Sequence, residues 1–306
     1  MTKVHPIFRS VFCALALLVC SIAYTSSAQA QGVLRFVAST GSDANDCLRP
    51  TPCRSINRGV QSAPAGAELI ILDTAGYGPT VTVNKSITIT APSGVAATIA
   101  TPSGVSITIT AGDVVLRGLV WIGQGTGTDG IAFQAGSSLS VENCTINGFS
   151  EAGIFGTSPG AALFVKDTTI RNGGLDGIFV GGLSATIDNC RLERNGTNND
   201  GFGIYALANS RVTVSDTVAA SNGQGFVVED GAQLNAENCV AANNTSDGFR
   251  VAGTGTPAIM RVSNSAATNN ATGFRQTTGT FESRGNNTVR GNGANTVGTI
   301  TPITGS

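Results

Sequence analysis

In "LSVENCTI", residues 139–146, apolar side chains alternate with polar ones up to an Asn, the parity breaks, and the alternation resumes one residue later. The pattern recurs in "LFVKDTTI" at 163–170, "LNAENCVA" at 234–241 and "MRVSNSAA" at 260–267. Period-two alternation predicts short strands, each buried on one side. The parity break predicts a corner, because Asn and Asp tolerate the left-handed backbone that a one-residue bend demands. Beyond each corner an Asn/Gly-rich turn leads to a Gly-Ile or Gly-Phe step that opens another strand.

Two markers set the period. The Gly step recurs at Gly130, Gly153, Gly177, Gly203, Gly225, Gly248 and Gly273, at intervals of 22 to 26 residues. The corner recurs at Asn143, Asp167, Asn189, Asp216, Asn238, Asn264 and Asn286, at intervals of 22 to 27. Markers that drift together imply one structural unit per repeat. Only seven leucines lie between residues 123 and 292, which excludes a leucine-rich repeat, and no unit carries a 3.6-residue period. Three short strands per turn predict an all-β chain wound as a single parallel β-helix, with equivalent residues stacked about 4.8 Å apart. The corner column is then expected to form an amide ladder. The next column, Cys144, Thr168, Cys190, Thr217, Cys239 and Ser265, is expected inside, its cysteines being small buried residues on alternate coils, about 10 Å apart and beyond disulfide reach.

The first thirty residues follow a different logic. Lys3 and Arg9 precede an apolar run from Val11 to Ala23 and the triplet Ala28-Gln29-Ala30, which predicts a secretory signal peptide over 1–30 and export to the periplasm or beyond. No later stretch is long and apolar enough to span a bilayer. Without Lys3 and Arg9 the chain keeps 16 basic against 19 acidic residues, spread without runs, so no nucleic-acid partner is expected. The single histidine, His5, leaves with the signal peptide, which removes imidazole from any catalytic or metal-binding scheme. Cys47 and Cys53 flank the Pro-rich "CLRPTPC", and an oxidising compartment predicts a disulfide there.

The segment "RFVASTGSDANDCLRPTPCRSINRGVQSAPAGAELIIL" (35–72) resembles the entry segment of secreted right-handed parallel β-helix proteins of the pectate-lyase-like superfamily. The resemblance covers most of 33–292 and implies an entry strand, turn and capping helix over 31–66, coils over 67–292, and a tail over 293–306 that adds a last short strand or trails free. The capping helix would run from Ser55 to Ser62, with Ile56 and Val60 covering the open end of the solenoid.

Many members of that superfamily are polysaccharide lyases or hydrolases, but the matching residues do not carry over. "VWI" (120–122) is similar to a pectate-lyase motif, yet Gly123-Gln124 stands where Asp-His would follow, and the histidine of polygalacturonases has no counterpart. Asp129, Asp176 and Asp247 precede Gly steps in one column, and two carboxylates at a suitable separation can work as acid and base on a glycoside. Favoured Asp-Gly turn chemistry supplies an Asp at such positions by itself. No calcium-type run occurs, so neither metal nor cofactor is expected. A further column, Ala132, Phe155, Phe179, Tyr205, Val227, Arg250 and Arg275, should point outward. Its aromatic faces can stack on pyranose rings, and its arginines can grip carboxylates or sulfates. Alternatively "NGTNNDGF" (195–202) folds over the column, or the rings only stabilise the sheet. The expectation is a monomeric, non-catalytic protein that binds a polysaccharide through Phe155, Phe179, Tyr205, Arg250 and Arg275. A lyase or hydrolase of uronate-containing glycans and a structural or adhesion protein are the alternatives.

Overall fold

The computed structural model describes residues 32–196 and 200–304; the expected signal peptide lies outside the described residues. Among the described residues, strands stack in three parallel sheets. Sheet I has twelve strands, from Leu34–Val37 to Ile300–Ile303; sheet II has ten, from Ala75–Gly76 to Thr288–Arg290; sheet III has ten, from Val81–Asn84 to Ala294–Val297. Each full coil gives one strand to each sheet and pairs in register with the next, as in Leu139 with Leu163, Ile146 with Ile170 and Ile154 with Ile178. The molecule is a parallel β-helix, and residues 294–303 supply its last strands in sheets III and I.

The corner between sheets I and II is the one the parity break marks. Asn143, Asp167, Asn189, Asp216, Asn238 and Asn264 all have φ between 47° and 55°. Asn286 is not among the left-handed residues: between Ser283, paired with Val262, and Thr288, paired with Ala266, the chain is one residue longer. The expected amide ladder is discontinuous here. Asn189 donates to Asp167 at 2.6 Å and Asn238 donates to Asp216, both in exposed positions.

A continuous ladder lies instead at the second corner, between sheets II and III. Asn195, Asn222, Asn244, Asn270 and Asn292 stack on successive coils, each after a left-handed residue (Arg194, Ser221, Asn243, Asn269 and Gly291). Each side-chain oxygen from Asn222 onward accepts the backbone N–H of the previous Asn, at 2.9 to 3.0 Å. The side-chain NH₂ donates to a carbonyl of the strand beneath, as in Asn222 to Leu192 at 2.9 Å. A left-handed corner turns backbone donors inward, where no strand can receive them, and the amide supplies the missing partner.

Inside, the three sheets share one core. From Ile146, Ile170 and Leu192 to Ala219, Ala241 and Ala267, sheet II shrinks, while sheet III changes from Ile154, Ile178 and Ile204 to Phe226, Phe249 and Phe274. Volume lost on one side is restored on the other, as close packing requires. Phe226 and Phe249 stack at 4.7 Å between centroids, and Phe274 continues the series at 5.5 Å. Helix α1, Ile56–Ser62, capped by Ser55, buries Ile56 and Val60 at the N-terminal end of this core. Asp43 anchors it by accepting the N–H groups of Arg54 and Ser55, both at 2.8 Å, and Cys47 and Cys53 are joined by a disulfide.

The Gly steps have a steric cause. A Cβ on Gly130, Gly153, Gly177, Gly203, Gly225 or Gly248 would stand 2.4 to 2.8 Å from the carbonyl oxygen of the next Gly in the column. The coils approach too closely there for any side chain.

Candidate functional site

The outer face of sheet III carries the outward column. Ala132, Phe155, Phe179, Tyr205, Val227, Arg250 and Arg275 are direct neighbours on successive coils. Phe155 and Phe179 stack at 4.7 Å, and Tyr205 meets Phe179 edge-on at 5.8 Å. All three rings are half-buried, as are Arg250 and Arg275. Ala132 and Val227, at 1% and 0% exposure, do not reach the surface. Val227 is small beside Tyr205 and Arg250, which meet over it through Glu229: the Tyr205 hydroxyl donates to Glu229 Oε2 at 2.9 Å, and Arg250 Nη2 lies 3.7 Å from Oε1.

A second column runs alongside, three residues earlier in each strand: Asp129, Ala152, Asp176, Phe202, Gln224, Asp247 and Thr272. It joins the first by i to i+3 contacts. Phe202 stacks on Tyr205 at 4.5 Å; the segment 195–202 therefore adds a ring to the column, residues 197–199 lying outside the described residues. Arg275 Nε donates to Asp247 Oδ1 at 2.7 Å and Nη2 to Thr272 at 2.5 Å. Arg250 Nη1 donates to Gln224 at 3.2 Å, and its Nε lies 3.9 Å from Asp247 Oδ2.

The three candidate aspartates share this column, and all are buried. Asp129 is pushed up to about 6 by burial, with the charge of Glu151 adding to the rise. Asp176 is pushed up to about 7, again chiefly by burial, and the charge of Asp129 adds to it. Its Oδ1 is buried with no hydrogen-bond partner among the described residues. Asp247 differs, being paired with both arginines. Burial and the hydrogen bond to Glu229 also raise the Tyr205 hydroxyl.

Sequence parity missed Phe202, Gln224 and Glu229. Glu229 lies two residues beyond Val227 and so shares its face, a signal that was available. Phe202 and Gln224 precede the Gly step, three residues before Tyr205 and Val227 in the same strands, a spacing that strict alternation would place on the opposite face.

The cysteine column is inert. Cys144, Cys190 and Cys239 are free and buried, and desolvation pushes their thiols up to about 12, 11 and 12. The N–H of each bonds to the hydroxyl of Thr168, Thr217 or Ser265 one coil on, at 3.0 to 3.3 Å, which accounts for the alternation of Cys with Thr or Ser. Among the described residues no cluster of His, Cys, Asp and Glu suits a metal ion, and no helix is long and apolar enough to cross a membrane. Sheet I also bears an outer depression, around Phe164, but a single ring lines it, and the charges beside it are already paired, Glu142 with Arg117 and Lys166 with Asp188.

Residues 129–294 match the family model described as a right-handed β-helix region. A solved structure described as the complex of XylC with xylose is similar over 83% of this chain and 70% of its own, at 12% identity and a TM-score of 0.64. A rhamnogalacturonan lyase covers 83% and 72%, at 16% identity and a TM-score of 0.58. The pectate lyase Pel9A covers 88% and 76%, at 15% identity and 0.53. At such identities the likeness is one of fold. No curated protein matches the chain by sequence.

Proposed function

The chain belongs to the right-handed β-helix family, and we propose that it recognises a polysaccharide laid across the coils on the outer face of sheet III. One observation carries the proposal: Phe155, Phe179 and Tyr205 stand in single file on successive coils, half-exposed and in ring contact, with Phe202 widening the file. Partly hydrated aromatic faces gain by covering the apolar side of a pyranose, at about 25 cal/mol per Å² of apolar area buried. The repeat supplies one ring per coil, so a repeating ligand meets a repeating surface. The folds it resembles include one described in complex with xylose and two named as lyases of pectate and rhamnogalacturonan. On this proposal the protein acts as a monomer after export directed by residues 1–30.

The double variant Phe179→Ala, Tyr205→Ala should keep the wild-type circular dichroism spectrum and lose all retardation in polysaccharide-containing native gels. Retardation equal to wild type would remove the face from consideration.

Asp176 favours a second function, glycan cleavage. A carboxyl pushed up to about 7 beside an aromatic file can hold the proton that a leaving sugar oxygen needs. Asp129 lies two coils away, about 10 Å by strand spacing, at the wide end of the range for an inverting pair. New reducing ends, or absorbance from unsaturated uronates, that disappear in Asp176→Asn would establish it; their absence with wild type on every glycan bound would leave recognition alone.

A further inference from the structure

We infer that the sheet III face selects a neutral glycan and rejects uronate or sulfate chains, an inference that rests on this face being the glycan site. Sequence alone presents Arg250 and Arg275 as two cations at the end of an aromatic file, the usual furniture for an anionic sugar. Tertiary structure sets carboxylates against both of them. Asp247, only 3% exposed, lies between them, 2.7 Å from Arg275 Nε and 3.9 Å from Arg250 Nε. Glu229 approaches Arg250 from the other side at 3.7 Å and takes the Tyr205 hydroxyl. Two guanidinium groups therefore face two carboxylates already fixed by the fold.

The outward columns hold no other cation to shift this balance, whereas Asp129 and Asp176 add negative charge as they ionise. An incoming carboxylate would have to displace Asp247, which the coil holds in place, and would meet Glu229 without compensation. Neutral hydroxyls meet the opposite situation. A hydroxyl both donates and accepts, so it can bond to the part-exposed guanidinium groups of Arg250 and Arg275 or to the Glu229 carboxylate without importing charge.

Affinity electrophoresis of the full-length protein in gels of xylan, mixed-linkage β-glucan and galactomannan, against polygalacturonate and alginate, tests the inference. Retardation is expected in at least one neutral gel, unchanged between about 20 and 500 mM NaCl, lost in Phe179→Ala, Tyr205→Ala, and absent from both acidic gels. Glu229→Gln and Asp247→Asn should each introduce salt-sensitive retardation in polygalacturonate; Glu229→Gln alone decides the point if Asp247→Asn does not fold. Wild-type retardation in an acidic gel, abolished by the same aromatic substitutions, overturns the choice of neutral glycan but leaves the face standing. Retardation in no gel, or retardation indifferent to the aromatic substitutions, overturns the face and the inference together.

Discussion

Asn244→Ala should be among the most damaging single polar substitutions in the chain. Asn244 is 2% exposed in the middle of the inner ladder. Its Oδ1 accepts the Asn222 backbone N–H at 3.0 Å, and its Nδ2 donates to the Ala219 carbonyl at 3.1 Å and to Asn270 Oδ1 at 2.9 Å. Truncation leaves the Asn222 N–H with no partner and strips a buried donor from Ala219. Asn270 Oδ1 still receives the Asn244 N–H at 3.0 Å, so it is only partly deprived. At about 1–3 kcal/mol for each of the two orphaned buried groups, the loss is about 2–6 kcal/mol. The control is Asn238→Gly at the outer corner, where glycine keeps the left-handed backbone and only an exposed bond to Asp216 goes; its cost should stay within about 0.5 kcal/mol. Urea unfolding followed by far-ultraviolet circular dichroism measures both. Hydrogen exchange should show the Asn222 amide losing protection in Asn244→Ala. If Asn244→Ala costs no more than Asn238→Gly, the inner ladder is not what secures that corner.

Other outcomes follow from the same contacts. Asp176 holds its proton to about pH 7 when folded but only to about 3.9 when unfolded, so the folded state binds more protons between those values and stability falls as pH rises through that window. Asp176→Asn removes this penalty: unfolding titrations should find it more stable than wild type at pH 8, by at most about 4 kcal/mol, with the gain vanishing near pH 4, and equal stability at pH 8 would refute the burial argument. Gly225→Ala places a Cβ 2.4 Å from the Gly248 carbonyl oxygen and should lower stability by about 1–3 kcal/mol in urea titration; a neutral result would mean that the coils can separate at no cost. Native protein at pH 8 should show no alkylation of Cys144, Cys190 or Cys239 by mass spectrometry, and three modifications once unfolded, whereas labelling of any of them in the native state would contradict their burial.

The sequence by itself determined the winding. Strand parity, the left-handed corner at Asn143 and its equivalents, and the Gly step are local requirements that each coil must meet again, so they appear in the chain as a period and set which residues stack. Phe155 above Phe179 is legible for that reason. What lies beside a stack is not. Two columns on one face lie three residues apart within the same strands, a spacing that strict alternation would put on opposite faces, so parity could not show that Phe202 and Gln224 stand beside the Tyr205 file. The inner amide ladder escaped for a related reason: both corners are rich in Asn, and only the path of the chain decides which side chain turns into the core. The charge of the sheet III face was settled last and only in three dimensions, because Arg250 and Arg275 are cations in the sequence but form a neutralised cluster once the coil sets Asp247 between them and Glu229 alongside.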